Sequence, residues 1–100
     1  MIAVSYHAQT RIQERLTGLP ITLSDITARL NRIAIPAEKT FVQVCKFNKP
    51  VKSACGDSSA GDIVVAVVES NVLKTVVLTY SDSKSSQYNK RIIPDYNRIP

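Results

Sequence analysis

The chain has 100 residues, 44% hydrophobic and 21% charged, the make-up of one folded domain with a modest core. Its longest apolar run, IVVAVV at 63–68, is strand-length and far short of the roughly 20 residues of a membrane span. With no basic-then-apolar leader at the N-terminus, these features exclude a membrane-spanning helix and lead us to expect a cytoplasmic protein. Cys45 and Cys55 lack metal-ligand spacing and are expected to be reduced.

The formal net charge of +5 is unevenly placed. Residues 1–52 hold eight Lys or Arg against three acids, whereas residues 53–100 hold five of each. Such a half-molecule excess suits an anionic partner, nucleic acid first and an acidic protein second. The plainer reading is solubility, since many non-binding domains carry a charge of this size.

Ser5 is a good N-cap, and Gly18 with Pro20 is a good stop, so residues 6–17 are expected to form a helix with Ala8, Ile12 and Leu16 inward. A second helix is expected from Thr22 or Ser24 to about Ile33, burying Ile26, Leu30 and Ile33 at helical spacing. Pro36 prevents its continuation.

From Thr40 the period changes. TFVQVCKF (40–47) reads as a strand, residues 48–61 as a loop, and DIVVAVVE (62–69) as a central strand apolar on both faces. Ser70-Asn71 suits a tight turn into LKTVVLTY (73–80), where simple alternation places Leu73, Thr75, Val77 and Thr79 on one face. Residues 81–100 are polar, a tail with room for one short strand around 91–93. The expected architecture is α+β: a single domain over residues 1–80, with two N-terminal helices on a small antiparallel sheet of three or four strands.

The stretch HAQTRIQER holds the only histidine, with Arg11 and Arg15 each four residues further on. On a helix, His7, Arg11 and Arg15 form a slanted stripe at the border of the apolar face. One reading is a solvated face in which Glu14 pairs with Arg11, worth a few tenths of a kcal/mol. The other is an anion site, because two guanidiniums beside an imidazole suit an oxyanion, and histidine ordinarily titrates near neutral pH.

SYHAQTRIQERLTG is similar, in its outline His-Ala-x-x-Arg-x-x-x-Arg-x-x-Gly, to the N-terminal helix of small bacterial and phage members of the RelE/barnase/EndoU/colicin-type (BECR-fold) RNase-toxin superfamily. DIVVAVVESNVLKTVVLTY resembles the closing hairpin of that family, with Thr75 on its threonine position, so the resemblance covers most of residues 5–80. It implies a metal-independent endoribonuclease with His7, Arg11, Arg15 and Thr75 on the active face, and an acidic antitoxin as partner. The stretch 48–61 departs from the family pattern. For Thr75 the alternative is an ordinary β-branched strand residue.

Lys46, Lys49 and Lys52 form a second basic cluster, and Tyr80, Lys90 and Arg91 add aromatic and cationic groups of the kind that contact RNA. Tyr6, Phe41 and Phe47 are further aromatics, the two phenylalanines being better suited to the core. With no Gly-rich phosphate loop, zinc spacing or Ser-His-Asp pattern, neither metal nor cofactor is expected. The expectation is an RNA-binding protein that cleaves RNA without a metal. The rival is a non-catalytic phage or bacterial factor on the same scaffold, gripping nucleic acid or an acidic host protein.

Overall fold

The computed structural model describes residues 1–53, 59–81 and 92–93. Strand β1 (Ala3–Val4) leads into helix α1 (Tyr6–Leu16) and helix α2 (Leu23–Leu30). Strands β2 (Thr40–Lys52), β3 (Ala60–Glu69), β4 (Val72–Thr79) and β5 (Ile92–Ile93) follow. The fold is α+β, and its sheet is mixed, in the order β1-β4-β3-β2-β5. Its antiparallel centre, β4-β3-β2, gains a two-residue parallel strand at each edge.

Local chemistry sets the helix ends. Ser5 Oγ accepts the Ala8 N–H at 3.0 Å to open α1. Beyond Thr17 the chain reverses through Gly18 at φ 85°, a left-handed conformation natural to glycine. Thr22 and Asp25 form a capping box at the start of α2, and those hydrogen bonds hold the Asp25 carboxyl below its ordinary pKa. α2 ends at Leu30, a turn earlier than the apolar spacing implies, and Asn31 Oδ1 accepts the Ile2 N–H at 2.8 Å. That bond ties the helix end to the N-terminal strand, while Ile33 still packs on the core from the following turn.

β2 and β3 extend into the stretch expected to be loop. Lys46 pairs with Ile63 and Val51 with Gly61, so residues 47–50 bulge out and the ladder then resumes to Lys52 and Ala60. Pro50 is accommodated because it lies in this excursion, where no ladder N–H is required. The β3–β4 turn has Ser70 at φ 51° and Asn71 at φ 62°, the two positive values that match the twist of a tight hairpin.

Both helices pack on one face of the sheet. Ala8, Leu16, Ile26 and Leu30 meet Val42, Val44, Cys45, Val64, Ala66, Val68, Leu73, Val76 and Leu78 there. Phe41, Ile63, Val65 and Val67 form a second buried cluster on the other face. Ile12 is only partly buried against the first cluster, at the margin of the apolar stripe. Burial pushes the Cys45 thiol up, partly offset by the Arg29 guanidinium, so this residue packs as a small apolar group. Cys55 lies outside the described residues.

Gly61 is required by close approach. A Cβ there would stand 2.0 Å from the carbonyl oxygen of Thr79 and 2.2 Å from its carbon. Gly61→Ala is therefore expected to push β4 off β3 and cost about 1–3 kcal/mol, read as a lower urea midpoint. An unchanged midpoint would show that the two backbones are not in contact.

Candidate nucleic-acid interface

The α1 stripe divides into two kinds of residue. Arg11 lies between His7 and Glu14: its Nε donates to His7 Nε2 at 3.4 Å, and its Nη1 donates to Glu14 Oε2 at 2.7 Å. The Arg11 and Glu14 side chains are 35% and 41% exposed, so the pair is accessible and its net stabilising effect is small. His7 is exposed one turn earlier. Imidazole, guanidinium and carboxylate thus form one contiguous row on the surface of α1.

Arg15 points elsewhere. Its Nη1 donates to the Val76 carbonyl oxygen at 2.7 Å, on the edge of β4 beyond the short reach of β1. That bond satisfies an edge carbonyl and fastens the last turn of α1 to the sheet. Arg29 does the same for α2, donating to the carbonyl oxygen of Val44, the extra residue at the β2 bulge.

Thr75 does not join the row. Val68 pairs with Leu73 and Val67 with Thr75, which leaves Lys74 as an extra residue in β4. The bulge reverses the alternation expected from sequence. Leu73 stays on the helix face, while Thr75, Val77 and Thr79 lie opposite Val67, Val65 and Ile63 on the other face. The role carried to Thr75 by family resemblance therefore has no geometric basis beside His7.

The second basic cluster divides in the same way. Lys46 pairs with Ile63, and with Phe47, Asn48 and Asp62 it lines a cleft of about 320 Å³ beside the excursion of β2. Asp62 accepts Ser81 N–H at 2.8 Å and Ser81 Oγ–H at 2.7 Å, which places Tyr80, 41% exposed, at this end of the sheet. Lys49 is exposed within the excursion. Lys52 is exposed one residue before Ser53, whose Oγ donates to the Glu14 carbonyl oxygen at 2.7 Å. The end of β2 is thereby fixed to the last turns of α1. Phe41 and Phe47 are buried, whereas Tyr6 is not. Lys90 and Arg91 lie outside the described residues.

The sequence marks Glu14 only as a partner for Arg11 and marks no part for Ser53. The i, i+3 spacing does signal the first, but nothing local signals a serine that closes on a helix 39 residues away. Among the described residues, no group of three or more His, Cys, Asp or Glu is placed to hold a metal ion, and no helix is long and apolar enough to cross a membrane. Comparison with protein-family models, curated proteins and solved structures gives no significant match.

Proposed function

We propose that this chain is a cytoplasmic RNA-binding protein that lays a phosphate backbone along α1 and onto the end of β2. The observation that carries the reading is the Ser53–Glu14 bond, which brings the end of β2, where Lys52 is exposed, against α1. Charge supports it. The described residues contain nine Lys or Arg and five Asp or Glu, with Arg11–Glu14 the one ion pair among them.

The test is RNA titration across a salt series. Phosphate contacts release counterions, so the affinity of wild type should fall linearly on a log–log plot. Arg11→Gln combined with Lys52→Gln should flatten that slope by about 1.4, at about 0.7 per contact on a single strand. A slope unchanged by the double substitution removes both residues from the interface.

The His7–Arg11–Glu14 row favours a second reading, metal-independent cleavage of toxin type. A phosphate on Arg11 would have an imidazole on one side and a carboxylate on the other. Those groups can take the 2′-OH proton and supply one to the leaving oxygen while the guanidinium stabilises the charge on phosphorus. An acidic antitoxin would neutralise such a protein by covering the same basic row.

A further inference from the structure

Tyr6, the first residue of α1, is 84% exposed. A tyrosine normally buries most of its ring, and the two phenylalanines of this chain do so. His7 follows Tyr6 directly in the helix. On the other side, Ser5 Oγ donates to the Lys74 carbonyl oxygen at 3.2 Å, which brings the exposed bulge residue Lys74 beside the start of α1. An uncovered aromatic near an exposed cation is a combination that stacks a base while a flanking phosphate is neutralised.

We infer that Tyr6 is a stacking platform and that the ligand is therefore single-stranded RNA. This rests on the RNA-binding reading and adds to it a choice of strand state. A base inside a duplex is already stacked on its neighbours and has no free face to offer Tyr6, whereas the cations accept phosphate from either form. Stacking carries no charge, so its loss and the loss of a phosphate contact have different signatures.

The experiment compares wild type, Tyr6→Phe and Tyr6→Ala on a 12-nucleotide single-stranded RNA and a blunt duplex of the same sequence, each across a salt series. Tyr6→Ala should weaken single-strand binding about tenfold or more without changing the salt slope, and should leave duplex binding unaltered. Tyr6→Phe, which keeps the ring, should bind like wild type. An exposed side chain contributes little to folding, and matching thermal melts will show that the variants are intact. Equal single-strand affinity for wild type and Tyr6→Ala, with a steep slope in both, overturns the stacking role and leaves the RNA-binding reading in place. Equal weakening on both ligands overturns the preference for single strands. A wild type that binds neither RNA overturns both readings.

Discussion

Leu30→Ala is expected to lower the unfolding free energy by about 2–5 kcal/mol. Leu30 is the last residue of α2 and is 2% exposed, buried in the main core with the helix-face residues of the sheet. Truncation removes three carbons from a site whose neighbours are held by the ladder and by the Arg29–Val44 bond, so the cavity cannot easily collapse. A domain of this size has only about 5–15 kcal/mol in all, and each kcal/mol moves its melting point by about 4–8 °C. The urea midpoint should fall sharply with little change in slope. A loss below about 1 kcal/mol would mean that α2 does not seal the core.

His7→Ala carries the largest expected effect on chemistry. If the α1 row cleaves RNA, the nucleophile is the substrate's own 2′-OH, so EDTA should leave the rate unchanged and the product should end in a 2′,3′-cyclic phosphate. RNA methylated at that oxygen should be inert. Removing the imidazole should cost about 10²–10⁴ in rate, the usual share of a general acid or base. Binding should suffer much less, because Arg11 and Lys52 remain. His7 is exposed, so the substitution leaves the core untouched. RNA left whole by wild type under all these conditions removes the cleavage reading and leaves binding. Cleavage undiminished in His7→Ala removes His7 from the mechanism.

The residues that the sequence made legible act over short distances. Ser5, Thr22 and Gly18 mark helix ends through bonds or backbone angles within three residues of themselves. The apolar spacing of Leu16, Ile26 and Leu30 follows from helix geometry alone, and all three are buried. What escaped was decided by partners far along the chain. β1 is two residues long and carries no periodicity of its own; only pairing with Val72 and Leu73 makes it a strand. Arg15 looked like a third member of the basic stripe, but its guanidinium meets a carbonyl 61 residues away.

Thr75 shows most clearly how register overrides alternation. In LKTVVLT, strict period-two reading keeps Leu73 and Thr75 together, and burying Leu73 under α1 would place Thr75 beside it. One extra residue, Lys74, moves everything after it to the opposite face. The bulge is set by how β4 meets β3, which the local pattern does not encode. Residues 47–50 escaped for a related reason: proline and polar residues resemble a loop whether they end a ladder or merely interrupt one.

A ¹H–¹⁵N spectrum of the full chain titrated with single-stranded RNA tests whether RNA lies on the α1 face. Shifts should concentrate on His7, Arg11, Glu14, Lys52 and Ser53 and saturate together. Gln43, Thr75 and Val77, on the opposite face of the sheet, should stay where they are. Shifts confined to that second face, or a spectrum unmoved by RNA, would contradict that placement.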